Sequence, residues 1–406
     1  MSSSVSKRSS LWFLAITLLS FLAASTAPTP LYHLYQDHLQ FSAATLTLIF
    51  GVYALSLLAA LLTVGSLSDY LGRKPVIFTA VLLNMLAMLL FINADSVTWL
   101  ISARVLQGFA TGMATAALGA ALLDTDRQQG PLVNSVAPLL GMAVGAMGCG
   151  LLAEFAPLPL QLTFWVLLAL FGLQALYVWR LPESVSAQSG ALASLRPTLH
   201  VPVQARRALW RVLPINTATW ALGGFYASLA PSLVRTATGS TSNLIGGATV
   251  AVLTVTGALM IYTLRSRAAD KVLWIGTSTL PVGVALILLA VHSASLPLFF
   301  IGTLVAGGGL RVRRQFSRVV AQCGATGVAP RARRLDVCVL RAQLPGVLPA
   351  VVAGGESDAG LWSGGNDRCL RRHADLPGRR CLVGADAKAH HPGLQRHRSA
   401  IKNAAP

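Results

Sequence analysis

Charge is what this sequence has least of. Only 11% of its 406 residues are Asp, Glu, Lys or Arg, against roughly 25% in a soluble domain, so a water-soluble fold is nearly excluded. Acidic residues are the scarcer sign, 14 against 32 Lys and Arg. The scarcity is uneven: residues 1–309 hold 15 basic and 8 acidic residues, whereas residues 310–406 hold 17 and 6. Two different materials meet near Leu310. Catalytic signatures are missing as well. Residues 1–309 contain no nucleophile elbow, phosphate loop or metal-ligand cluster, and His33, His38, His200 and His292 fall in predicted loops. An enzyme is not expected, and neither is a cofactor or a metal.

What is present is apolar sequence in membrane-sized pieces. A helix needs about 20 predominantly apolar residues to cross the hydrocarbon core, and uncharged runs of about that length lie between successive charges from Arg8 to Arg265. The run from Val272 to Leu310 is too long for one helix, and His292-Ser293-Ala294-Ser295-Leu296-Pro297 supplies a turn that splits it. Ten spans are predicted before the break. A β-barrel would alternate apolar and polar residues, whereas Leu86 to Ile92 is continuously apolar, so the expected class is an all-α membrane protein. Lys7 and Arg8 precede an apolar stretch with Ala23, Ala24 and Ser25, but a cleaved signal peptide is not expected ahead of so many further spans.

Basic residues set the expected orientation, because short cytoplasmic loops carry the Lys and Arg excess. With the N-terminus inside, Lys7, Arg8, Arg73, Lys74, Arg127, Arg180, Arg265 and Lys271 all fall on the cytoplasmic side, Arg235 alone falls outside, and Arg104 lies within a span. The polar interval from Pro182 to Arg211 reads as a cytoplasmic linker between a bundle over residues 1–181 and a second over 212–309.

The loop between spans two and three reads Gly65-Ser66-Leu67-Ser68-Asp69-Tyr70-Leu71-Gly72-Arg73-Lys74-Pro75. It resembles the signature loop of the major facilitator superfamily, G-x-L-(S/A)-D-x-x-G-R-(K/R), in the loop where that family carries it. A plain basic turn accounts for Arg73 and Lys74 but not for Gly65, Asp69 and Gly72 at these spacings. Span four adds Arg104-Val105-Leu106-Gln107-Gly108, which looks like the family's R-x-x-x-G motif. The resemblance covers residues 10 to about 309. It implies two six-helix bundles related by a pseudo-twofold axis, with a midplane site open alternately to each side. Only about ten of the twelve spans are readable here.

The resemblance also implies site residues. Gly65, Asp69, Gly72, Arg73 and Lys74 would form a conformational gate with Asp124, which pairs with Arg73 or stands as a solvated loop acid. Arg104, Gln107, Thr111 and Thr115 share a helical stripe with Gly108, Gly112 and Gly119. An intramembrane arginine is expensive, so Arg104 either lines a cavity with a role in proton or substrate coupling, or snorkels to the interface. In span one, Pro28, Pro30, Tyr32 and Tyr35 can kink the outer end and line a vestibule. Asn216, Trp220 and Tyr226 of span seven are cavity candidates, with ordinary packing as the alternative. Gly141, Gly145 and Gly148 of span five are similar to the family's antiporter motif, although Ala146 replaces its proline and Cys149 one of its glycines. Glycines at such spacing equally serve close helix packing.

The resemblance stops near Gly309. Eight arginines interrupt Arg311 to Arg341, and Ala342 to Gly355, the longest later uncharged interval, contains Pro345 and Pro349, so it does not span unaided. Three readings of the tail compete: a basic extension for anionic lipid or nucleic acid, a metal module on Cys369, His373, Cys381, His390 and His391, or a shifted reading frame. The metal spacings fit no standard zinc pattern. Gly, Ala, Pro and Arg make 47 of the 97 tail residues, and Arg outnumbers Lys 15 to 2, so a frame shift in a GC-rich gene is the favoured reading.

The expected function is proton-coupled transport of a small organic solute, in the efflux direction, by a multi-pass protein of the inner membrane with its N-terminus in the cytoplasm. The lipid bilayer, the solute and protons are the expected partners, the protein is expected to be a monomer, and no nucleic acid is expected. A nonfunctional remnant of such a carrier and a membrane-embedded sensor on the same scaffold are the alternatives.

Overall fold

The computed structural model describes residues 6–195, 217–218, 220–240, 242–265 and 269–308. Among the described residues the regular structure is helical throughout. Besides the single-turn helices Ser68–Leu71 and Ala191–Ser194, the helices are α1 (Lys7–Thr26), α2 (Tyr32–Leu39), α3 (Ala43–Thr63), α4 (Arg73–Ile92), α5 (Val97–Thr125), α6 (Gly130–Phe155) and α7 (Leu162–Val178). They continue with α8 (Ala230–Thr238), α9 (Asn243–Thr263), α10 (Ala269–His292) and α11 (Leu296–Gly308). Helical residues 220–228 lead directly into α8.

Local chemistry starts and stops these helices. Ser6, Ser42 and Ser242 cap α1, α3 and α9, each side chain accepting from a backbone N–H in the first turn. The split expected after His292 occurs over residues 293–295, where Ala294 takes a left-handed φ of 50°. Pro28 and Pro30 break span one: α1 ends at Thr26, a single 3-10 turn covers Thr29–Leu31, and α2 follows. A proline without its N–H cannot continue the ladder, and its ring crowds the preceding turn.

Among the described residues six segments are long and apolar enough to cross a membrane: Lys7–Leu39, Ala43–Thr63, Arg73–Ile92, Val97–Thr125, Gly130–Phe155 and Asn243–Thr263. Leu162–Val178, Ser278–His292 and Leu296–Gly308 are shorter apolar helices. Large apolar side chains such as Trp12, Leu173 and Leu176 remain exposed, which in water would be a liability and in lipid is a solvated face. One buried apolar cluster runs from Leu11 to Leu181, with α1 packed on α6 and α4 on α5 and α7. A second, from Tyr226 to Ala306, is built by α8, α9, α10 and α11. Between these clusters α9 lies along α6.

The acids keep to the ends of this scaffold. Asp37, Asp69, Asp95, Asp124, Asp126, Glu154, Glu183 and Asp270 each stand in a loop or within two residues of a helix terminus, or within a single turn of helix. The expected boundaries near residues 196–211 and the whole of 310–406 lie outside the described residues, and so does Asn216.

Candidate functional site

Two arginines organise the polar side chains, one at a helix end and one in a helix core. At the end that carries the signature loop, Arg73 opens α4 and is only 3% exposed. Its Nη1 lies 2.7 Å from Asp69 and donates to Ser68 Oγ at 2.6 Å, while its Nε donates to Asp124 Oδ2 at 3.0 Å. The pairing of Arg73 with Asp124 joins the α4 start to the α5 end, so the solvated alternative for Asp124 does not describe this conformation. Gly72 has a φ of +95°, a backbone region that favours glycine. A Cβ there would also stand 3.0 Å from the Glu183 carboxylate, and one on Gly65 would stand 2.5 Å from the Leu61 carbonyl oxygen.

Glu183 was not anticipated. Its Oε1 accepts from the backbone N–H of Arg73 at 2.8 Å and its Oε2 from that of Lys74 at 3.0 Å. A residue 110 positions away therefore caps the first turn of α4, where orphan N–H groups and the helix dipole favour an anion. Ser184 next to it donates to Asp124 at 3.2 Å, Gln188 N–H donates to the Tyr70 carbonyl at 2.8 Å, and Lys74 Nζ reaches the Trp179 carbonyl at 3.5 Å. The start of the linker is bound to the signature loop. Pro182-Glu183-Ser184 was the available signal: an acid directly after a span in a chain with few acids.

The second centre is Arg104, fully buried in α5. Nε donates to the Tyr32 hydroxyl at 2.9 Å, Nη2 donates to the same oxygen, and Nη1 donates to the Ser25 carbonyl at 2.9 Å and to Gln107 Oε1 at 2.7 Å. The rings of Tyr32, Tyr53 and Phe91 lie 5.4, 5.3 and 5.8 Å from the guanidinium carbon. The snorkelling alternative does not describe this conformation, because the side chain turns inward to the break in span one.

The proline break explains why these partners are there. Pro28 has no N–H to give the Ala24 carbonyl, and Gln107 Nε2 donates to that carbonyl at 2.9 Å. Arg104 serves the Ser25 carbonyl in the same way. The R-x-x-x-G segment thus holds the two ends of a broken helix. Thr111 and Thr115 extend the stripe but spend their hydroxyls on their own helix, on the Gln107 and Gly112 carbonyls.

Glycine sets how closely the neighbours approach. A Cβ on Gly108 or Gly112 would collide with the carbonyls of Tyr53 or Leu57 in α3, and one on Gly141 or Gly145 with those of Leu19 or Ala23 in α1. Gly148 differs: nothing lies within 4 Å of its Cβ position, so packing does not require glycine there and the expectation for that residue is corrected. Gly150 and Gly247 instead bring α6 and α9 together, their Cβ positions meeting the Asn243 and Ala146 carbonyls.

At the end opposite the signature loop the two clusters are bridged. Asp37 of α2 lies 3.6 Å from Arg235 of α8, Glu154 at the end of α6 accepts from Asn243 N–H of α9 at 2.7 Å, and Thr29 donates to the Ala227 carbonyl at 2.8 Å. Trp220 packs by Phe50 and Ala227. Tyr226 shares a 2.6 Å hydrogen bond with Thr303 inside the second cluster, making it a packing residue of that core in this conformation.

A family model for the Major Facilitator Superfamily matches residues 13–311. Multidrug resistance protein MdtL of Escherichia coli is 30% identical over 140 residues, 33% of this chain and 35% of that protein, so the chain spans about a third of the length of the curated relatives it matches. The nucleoside transporter NupG superposes with a TM-score of 0.62 at 13% identity, over 86% of this chain and 91% of that one. The human organic anion transporter MFSD10 gives 0.59 at 21% identity, over 89% and 98%.

Proposed function

The chain belongs to the major facilitator superfamily, and from that premise we propose that it is a secondary carrier, not an enzyme, which moves a small organic solute across the inner membrane by alternating access. The observation that carries this reading is the buried Arg104 centre at the broken first span. It joins the part of α1 that packs on α6 to the part of span one that contacts Arg235 and Ala227, so a change at the centre reaches the bridged end of the molecule. Efflux is the proposed direction, and the partial relative is named a multidrug resistance protein. Proton coupling is the proposed energy source, the monomer the proposed working unit, and the N-terminus and residues 182–211 are assigned to the cytoplasm by the positive-inside rule. Bundle boundaries at 1–181 and 212–309 follow the same reading.

Purified full-length protein in proteoliposomes tests it. An imposed pH gradient is expected to drive solute flux that collapses with a protonophore. Ligand binding without flux in either direction would favour the sensor, and failure to fold would favour the remnant. The tail is part of the proposal: another frame of the same DNA is expected to encode two further apolar spans beyond codon 309. Translation of the gene in all three frames checks this, and the absence of apolar runs of about 20 residues would make the tail a basic extension. Reporter fusions after Glu183 check the orientation, with an external reporter overturning it.

A further inference from the structure

The charge of the solute is legible in what surrounds Arg104. This inference rests on the carrier reading and adds to it a chemical class. The guanidinium is fully buried, and all four of its hydrogen bonds end on neutral oxygens: the Tyr32 hydroxyl twice, the Ser25 carbonyl and Gln107 Oε1. The acids of residues 1–309 are held at helix ends and loops, and among the described ion pairs none involves Arg104. A buried charge is normally paired, because neutral acceptors recover only part of its lost hydration. Among the described residues this core holds a permanent cation and no counter-charge.

The neighbouring groups are of the same character. The Tyr32 oxygen accepts two bonds from the guanidinium, so its own O–H proton is directed elsewhere and is available to donate. The Gln107 amide N–H donates rather than accepts. Three aromatic rings surround the cation, those of Tyr32 and Phe91 buried and the latter stacked on Phe164, so the body of an organic molecule would meet apolar surface on entering here. A cationic solute arriving here meets repulsion from Arg104. An anion meets N–H and O–H donors with aromatic walls, and charge-assisted bonds to a carboxylate are about twice as strong as those to a hydroxyl.

We propose that the solute is an organic anion whose carboxylate, or an equivalent oxyanion, replaces the Tyr32 hydroxyl as the partner of Arg104. The exchange frees Tyr32, the first residue of α2, and α2 also carries Asp37, the residue bridged to Arg235. Substrate capture thereby loosens the bridged end of the molecule at the point where span one is already broken. Arg104 is the binding residue; Tyr32 is a positioning residue that occupies the anion's place until it arrives.

The test uses full-length protein in nanodiscs and three probes of one shape: naphthoate, naphthamide and naphthylmethylammonium. Equilibrium binding is expected to favour the anion over the amide by about tenfold or more, the difference a charged hydrogen-bond partner makes, and to disfavour the cation. Arg104→Gln is expected to abolish the anion preference, and Arg104→Lys to keep part of it. Tyr32→Phe removes the competitor and is expected to tighten naphthoate binding, an outcome that a purely structural tyrosine does not produce. Equal or tighter binding of the cation, an anion preference that survives Arg104→Gln, weaker binding in Tyr32→Phe, or no binding of any probe would each overturn the inference. If Arg104→Gln does not fold, the wild-type probe series and Tyr32→Phe still decide. Flux separates this inference from the carrier reading. Cation flux without anion flux leaves a carrier and removes the anion site; anion binding without flux does the reverse.

Discussion

The signature-loop arginine and the core arginine solve the same electrostatic problem in opposite ways. Arg73 is 3% exposed and sits between Asp69 and Asp124, beside a Glu183 carboxylate that binds the α4 backbone. Arg104 is 0% exposed and sits among hydroxyl, carbonyl and amide oxygens. A cation paired with its own chain's carboxylates has its charge matched, even though Arg73 Nη2 is buried without a hydrogen-bond partner, and its work is to hold helices. A cation whose hydrogen bonds all end on neutral acceptors has no described counter-charge, and the proposed work of Arg104 is to meet an anion. The largest expected effect is the one that removes this difference: Arg104→Ala strands the Tyr32 hydroxyl and the Ser25 carbonyl and deletes the anion's partner. Gradient-driven flux is expected to fall about 100-fold, two charge-assisted bonds being worth that much. Unchanged flux in both Arg104→Ala and Arg104→Lys would reduce the core centre to a structural staple.

Packing around the two centres sharpens the comparison next. Gly108 lies one turn from Arg104 and lets the α3 backbone at Tyr53 approach, whereas Gly148 faces open space. Gly108→Leu is expected to cost about 3 kcal/mol or more, the upper range for overpacking, and to move the Tyr53 ring away from the guanidinium. Gly148→Leu is expected to stay within about 0.5 kcal/mol, as surface changes do. Thermal unfolding of the two variants in the same detergent measures the contrast, and equal losses would place both glycines in packing.

At the loop centre the expected effect is smaller, because Arg73 has several partners. Asp124→Asn leaves Asp69 in place, and the Asp124 side chain is 22% exposed, so we expect a loss of about 1–2 kcal/mol, below the cost of stripping a fully buried pair. Glu183→Gln keeps an acceptor but loses the charge at the α4 start, and about 1 kcal/mol is expected, as for other helix caps. Amide exchange at Arg73 and Lys74 should quicken in Glu183→Gln and not in Asp124→Asn, since only the former bonds those N–H groups.

Much of this was legible because membrane sequence announces itself. Uncharged runs marked the spans, His292 to Pro297 marked the split, and the order Gly65, Asp69, Gly72, Arg73 marked the loop. Span one was read as kinked from Pro28 and Pro30, but the consequence was not: freed carbonyls at Ala24 and Ser25 call for donors, and Gln107 and Arg104 supply them from 83 and 79 residues away. Periodicity shows which face of a helix is polar and says nothing of which distant helix meets that face. Glu183 escaped for the same reason. Gly148 was misjudged because it stands three residues after Gly145, and the four-residue step from Gly141 and Gly145 lands on the buried Cys149 instead.

Asn84 of α4 supplies the smallest test and the cleanest control for the buried arginine. It is fully buried, and neither atom of its amide has a hydrogen-bond partner. An idle buried amide costs about 1–3 kcal/mol, although polar groups within membrane bundles measure nearer the low end. Asn84→Val keeps a side chain of similar size without polar atoms, so a gain of about 1 kcal/mol is expected, read as a rise in thermal midpoint with flux unchanged. The comparison with Arg104 turns on this result. If a partnerless amide can be removed with profit, then unmatched polarity alone does not mark a working site, and the charge of Arg104 is what distinguishes it. If Asn84→Val instead abolishes flux while folding normally, the amide meets a partner in another conformation, and the polar pathway extends from α5 into α4.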